Sequence, residues 1–221
     1  MRLVTVAHGT RNPAGNLVAA ELTAMAARRL GWSATTSYVE LCAPLFADVA
    51  AGLGAADTAD TAVVPLLLST GYHVRHDLPA QAGELTVGRP LGPDPLLAAA
   101  QVDRLIAVGA RRSQPVVLVA AGSTDPDALT DLDAAAHLLA RAWGSPVRVA
   151  TLSGLGPRPA EVVRPGDAVS PYLLAAGHFA DRARTEALAA GATAVADVIG
   201  PHRCVVELIM TRARALVRAA A

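Results

Sequence analysis

The amino-acid sequence predicts an α/β protein of two tandem, internally duplicated domains. Each is expected to hold a parallel sheet flanked by helices, with a cleft between the two. Three observations carry this expectation. Short apolar runs end abruptly on turn residues, as strands buried on both faces do. Such runs alternate with Ala- and Leu-rich helical stretches, the pattern of parallel sheets with crossover helices. Landmarks of the first half then return, in the same order, in the second.

Residues 2–7 read as the first strand, and a loop over residues 8–15 leads into a helix near 16–30. Residues 34–39 form a second strand with Glu40 at its end. Pro44 is placed at the first position of the next helix, where a missing N–H costs nothing. Residues 63–67 are the third strand. A Gly- and Pro-rich passage over 88–95 precedes a helix that runs to about Ala110.

The pattern then restarts with a strand over 115–120. Ala121-Gly122-Ser123-Thr124-Asp125-Pro126 lies over His8-Gly9-Thr10-Arg11-Asn12-Pro13, at a spacing of 113 from Gly9 to Gly122. Pro157 matches Pro44 at the same spacing, and Gly177 and Gly200 match Gly71 and Gly92 at 106 and 108. Offsets that drift only by loop length indicate a duplication. The expected division is 1–112 and 113–221. The halves differ at chemically active positions: His8 corresponds to Ala121 and Glu40 to Ser153. The first domain therefore carries the potential metal set, and the second lacks it.

Composition narrows the function. The chain is 52% hydrophobic and 17% charged with no net charge, so it can bury a core. No basic stripe points to nucleic acid. No segment is long enough to span a membrane and the N-terminus lacks a signal pattern, so a cytoplasmic protein is expected. All 19 basic residues are arginine, which excludes a P-loop lysine and a lysine Schiff base. Cys42 and Cys204 fit neither a disulfide framework nor a CxxC metal site, and read as small buried hydrophobes.

His8 and His73 stand where strands of a parallel sheet end, which is where ligands bind in such sheets. Neutral imidazole is a good ligand for Fe²⁺, Co²⁺, Ni²⁺ and Zn²⁺. Structural zinc is closed in by four protein ligands, so two histidines with Glu40 suggest a metal in transit or in catalysis. His76 and Asp77 are possible additions, although Pro79 argues against a regular helix there and so against the i, i+3 spacing. His137 and His202 read as structural, whereas His178 sits at the equivalent strand end of the second half. Arg11, Arg75, Arg182 and Arg184 offer forks that match carboxylates.

These pieces together resemble the ATP-independent (class II) sirohydrochlorin chelatases in their long, two-domain form. The resemblance rests on AHGTRNP (7–13), Glu40 before Pro44, PLLLSTGYHVRHDLP (65–79), LGPDP (91–95), AAGSTDP (120–126) and GHFADRA (177–183). It implies insertion of Fe²⁺ or Co²⁺ into sirohydrochlorin, towards siroheme or cobalamin, with no permanently bound cofactor. His8 and His73 would hold the metal, His8 would accept pyrrole protons, and Glu40 would assist. Arg11, Arg75, Ser69, Gly71 and His178 would contact the tetrapyrrole. The expected partners are sirohydrochlorin and a divalent metal, in a monomer or homodimer. His178, where an apolar residue is expected, departs from the pattern. The competing readings are a non-catalytic carrier of metal or tetrapyrrole on the same scaffold, and a metal-dependent hydrolase.

Overall fold

The computed structural model describes residues 1–71 and 73–220, apart from the side chains of residues 55, 56, 219 and 220. Tyr72, counted in the sequence comparison with the second half, lies outside the described residues.

The elements follow in order. Strand β1 (Arg2–Ala7) leads into helix α1 (Pro13–Leu30), β2 (Ser33–Tyr38), α2 (Phe46–Ala51), α3 (Ala55–Thr58) and β3 (Thr61–Pro65). A π-helical turn (His73–Asp77) precedes α4 (Leu78–Ala82) and α5 (Pro95–Ala107). The second repeat comprises β4 (Val116–Ala120), α6 (Pro126–Trp143), β5 (Val147–Thr151), α7 (Pro159–Val162), β6 (Ala168–Tyr172), α8 (His178–Ala189), β7 (Ala194–Val195) and α9 (Arg203–Ala220).

Both sheets are parallel, as expected: one has the order β2-β1-β3 and the other β5-β4-β6-β7. The bridge from Val63 to Val87 stands in the first repeat where β7 pairs with β6 in the second. β3 and β4 are buried along their whole length, which accounts for their unbroken apolar character.

The duplication extends to backbone detail. Gly9 and Gly122 both have φ of 94°. A Cβ on Gly9 would lie 1.9 Å from the Glu40 carbonyl oxygen, and one on Gly122 the same distance from that of Ser153. Asn12 caps α1 by accepting from Ala14 N–H, and Asp125 caps α6 by accepting from Asp127 N–H, both at 3.0 Å.

The compact units do not follow the 1–112 and 113–221 division. One unit is Met1–Leu91 with Pro201–Ala221, and the other is Gly92–Gly200. The last helix of each repeat has been exchanged. α5 packs in the second unit, where Gln101 Nε2 donates to Ser170 Oγ (2.8 Å) and the Arg104 guanidinium donates twice to the Ile199 carbonyl. α9 packs in the first, where buried Arg212 donates to the carbonyls of Pro90 and Leu91 (3.3 and 3.2 Å). Each helix satisfies its apolar face on the sheet it reaches, whichever repeat encoded that sheet.

Three local readings are corrected. Pro44 does not open a helix: its carbonyl accepts Tyr38 N–H (3.0 Å), which keeps the backbone extended, and α2 starts after Leu45. The third strand ends at Pro65 rather than residue 67, although Leu66 N–H still donates to the Val6 carbonyl (2.8 Å). Cys42 and Cys204 are free and half-buried rather than fully buried.

Candidate metal centre

The site is assembled at the carboxyl end of the first sheet. His8 follows β1 directly, and Glu40 lies two residues past β2. The β1–β2 pairing continues beyond both strands: Val39 N–H donates to the Ala7 carbonyl (2.9 Å) and Glu40 N–H to that of His8 (3.1 Å). That continuation draws the Glu40 backbone alongside His8. Only glycine at position 9 tolerates so close an approach.

The loop bearing His8 is pinned from α1. Half-buried Asn16 accepts Thr10 N–H through Oδ1 (3.0 Å) and donates from Nδ2 to the Thr10 carbonyl (2.8 Å). Tyr38 lies beneath, with its hydroxyl donating to the Asn16 carbonyl (3.2 Å). Burial, aided by the nearby Cys42 thiol, raises the Tyr38 pKa, so the phenol stays a donor.

His73 arrives on the π turn, whose start is marked by Arg75 N–H donating to the Gly71 carbonyl (3.1 Å). Leu78 and Ala82 of α4 are buried in a cluster with Val4, Val6, Val63 and Phe46, and this anchors the turn. Pro79 does not prevent helical geometry, because a widened π turn avoids the clash that an α turn's carbonyl would make with the ring. The i, i+4 partner of His73 is Asp77, its Oδ2 lying 2.5 Å from His73 Nδ1.

One ligand atom from each of His8, Glu40 and His73 lies within 4.8 Å of the others. The two imidazoles meet edge to face, with centroids 4.6 Å apart and planes at 87°. Hydrogen bonding orients both rings. His8 Nδ1 faces the Gly9 carbonyl (3.1 Å) and His73 Nδ1 faces the Asp77 carboxylate, and both partners only accept. With the proton on each Nδ1, Nε2 is the nitrogen that would face a metal. An orienting carbonyl or carboxylate on the far nitrogen is the usual support for a metal-bound histidine.

Glu40 Oε1 stands 3.5 Å from His8 Nε2, and both side chains are about half exposed. Ligand atoms about 2 Å from a common ion would be roughly 3–4 Å apart, so a modest side-chain rotation closes the set. Three ligands on an open surface leave coordination positions free for an incoming substrate.

The other expected site residues are distributed around or away from this group. Ser69 and Gly71 are half-buried on the approach to the π turn, and Arg11 and Arg75 are exposed on the two loops that bear the histidines. His76 is exposed in the π turn and stands outside the ligand group. His178 opens α8 in the other unit, beside Phe179. His202 Nδ1 accepts Cys204 N–H (3.2 Å) at the start of α9, and His137 Nδ1 donates to the Asp133 carbonyl within α6 (2.7 Å); both are local structural bonds.

Sequence reasoning missed Asn16 and the orienting role of Asp77. The signals were an asparagine at the start of an Ala- and Leu-rich helix, and the i, i+4 spacing of His73 and Asp77.

The duplicated parallel α/β scaffold thus carries, at one strand-end edge, an open His–Glu–His group of a kind that could hold a metal ion. The chain belongs to the CbiX family, whose model matches residues 2–108 and again residues 115–216. A sirohydrochlorin ferrochelatase of Bacillus subtilis (strain 168) is 35% identical over 35% of this chain, and the match spans 34% of that relative's length. Among solved structures, SirB from Bacillus subtilis with Fe³⁺ superposes with a TM-score of 0.81 at 26% identity, covering 98% of this chain and 95% of that one. The sirohydrochlorin chelatase SirB of Bacillus subtilis subspecies spizizenii, in complex with cobalt, gives a TM-score of 0.83 at 23% identity over the same shares of the two chains. Among the described residues, no helix is long and apolar enough to cross a membrane.

Proposed function

We propose that this protein is a sirohydrochlorin chelatase that inserts Fe²⁺ or Co²⁺ into the macrocycle, with the metal as a substrate. The observation that carries the reading is the convergence of His8, Glu40 and His73 within 4.8 Å, each imidazole being supported from its far nitrogen. Family membership and the ferrochelatase relative support the choice of substrate.

Metallation replaces two pyrrole N–H protons by one divalent ion, so two protons must leave as the ion binds the four ring nitrogens. His8 and His73 hold the ion through Nε2 in a weak, open coordination that the macrocycle can outcompete. As the ion transfers, His8 Nε2 regains its lone pair and accepts the two pyrrole protons in turn, releasing the first before it takes the second; imidazole suits that task. Glu40, 3.5 Å from that nitrogen, stabilises the imidazolium and passes the proton to water. Arg11 and Arg75 pair with the rim carboxylates, and Ser69 and Gly71 contact the tetrapyrrole beside the metal ligands. The first repeat carries the catalytic set. The second, with Ala121 and Ser153 at the equivalent positions, does not.

The test is an anaerobic absorbance time course of sirohydrochlorin with Fe²⁺ or Co²⁺, with and without catalytic protein. Multiple turnovers above the uncatalysed rate are expected. Spectral binding without turnover would make the protein a carrier, and no spectral change would remove the tetrapyrrole from the account.

A further inference from the structure

Leu41, next to Glu40, has φ of 66°, the one positive value at a non-glycine residue among the described residues. It is the centre of a three-residue turn in which Cys42 N–H donates to the Glu40 carbonyl (2.9 Å). A positive φ at that position makes it the rare, strained form of γ-turn, which costs a branched side chain folding free energy.

The second repeat has a positive φ at the equivalent point without the strain, although Leu155 N–H there donates to the Ser123 carbonyl (2.8 Å) rather than closing a γ-turn. Gly154, 113 residues on, has φ of 63°, and a Cβ there would lie 2.2 Å from the Ser123 carbonyl oxygen. The scaffold thus calls for a left-handed residue at this point in both repeats, and glycine is the residue that meets the call without penalty. The first repeat has leucine instead. Packing does not repay the cost, because Leu41 is 49% exposed. Strain retained beside a site, against the interest of the fold, points to a role in that site.

We propose that Leu41 is a substrate-contacting residue, whose side chain lies against the flat apolar face of the tetrapyrrole beside the metal ligands. This rests on the chelatase reading above. The chemistry is complementary: arginines suit the carboxylate rim, whereas the ring face needs an aliphatic group that gains by leaving water. The strained turn sets Leu41 immediately after the Glu40 ligand, where it would register the macrocycle over the ion.

The test titrates metal-free sirohydrochlorin, followed by absorbance, into the wild type, Leu41→Gly and Leu41→Met. Leu41→Gly suits the backbone, so its melting temperature should equal or exceed that of the wild type, with Co²⁺ affinity in the absence of tetrapyrrole retained. Its affinity for the macrocycle should fall about tenfold, and Leu41→Met should restore most of the loss. Wild-type macrocycle affinity in Leu41→Gly would overturn the proposal. A lowered melting temperature or lost Co²⁺ binding in Leu41→Gly would assign Leu41 to the turn rather than to substrate and would overturn it equally. A wild type that binds no sirohydrochlorin would instead remove the chelatase reading, and this proposal with it.

Discussion

Replacing Asp77 by alanine removes the acceptor that fixes the orientation of His73. The magnitude follows from the freedom released. An unrestrained imidazole samples about three χ1 wells and two χ2 orientations, and selecting one of about six states again on binding costs roughly 1.1 kcal/mol, or about sixfold in affinity. Loss of the carboxylate's support for ring basicity adds to this, and removal of such outer partners typically costs about 10–100-fold. The His73 and Asp77 side chains are 32% and 31% exposed, so water replaces part of what is lost. The expected effect is therefore about tenfold weaker Co²⁺ binding for Asp77→Ala by anaerobic calorimetry. Asp77→Asn, which keeps an acceptor oxygen but not the charge, should fall between this variant and the wild type. The melting temperature should barely change, because the pair is partly exposed. Wild-type Co²⁺ affinity in Asp77→Ala would refute the reasoning.

Two further perturbations separate site from scaffold. Gly9→Ala and Gly122→Ala each force a Cβ to 1.9 Å from a carbonyl oxygen at φ of 94°, and each should destabilise the protein by more than about 2 kcal/mol in denaturant melts. Only Gly9→Ala displaces Glu40, so it alone should also weaken Co²⁺ binding; equal effects on the metal would contradict the assignment. Tyr172 supplies a pH signature: burial, then the carboxylates of Asp131 and Asp94, push its phenol above the ordinary value of 10.0. Its contribution is complete below that pH and is lost above it, as the unfolded chain releases a proton that the native state retains. The loss is about 1.4 kcal/mol per pH unit from this group. Urea melts between pH 9 and 11 should show a shallower decline for Tyr172→Phe, and identical declines would refute the assignment.

Much of this organisation was legible in the residues. The apolar runs that end at His8 and near Ser69 define buried parallel strands, so the histidines were placed at strand ends before any geometry was known. The repeat was legible because Gly9 and Gly122 answer the same steric demand. The exchange of α5 and α9 was not, since each has an apolar face that fits either sheet and only the folded chain decides between them. Pro44 misled because a proline suits an extended segment as well as a helix start. Pro79 was a sound signal against a regular α-helix, since residues 73–77 form a π turn and His76 stands outside the ligand group. Nothing in a leucine announces a left-handed backbone, so Leu41 emerged only from its conformation.

The most direct test of the account compares the wild type, His8→Ala and His73→Ala in anaerobic, multiple-turnover metallation of sirohydrochlorin by Co²⁺, with the fold checked by circular dichroism. The account predicts that each folded variant falls by at least about a hundredfold, to near the uncatalysed rate. Folded variants that retain wild-type turnover would contradict it, because the ion would then enter the macrocycle without the two imidazoles that meet at the end of the first sheet.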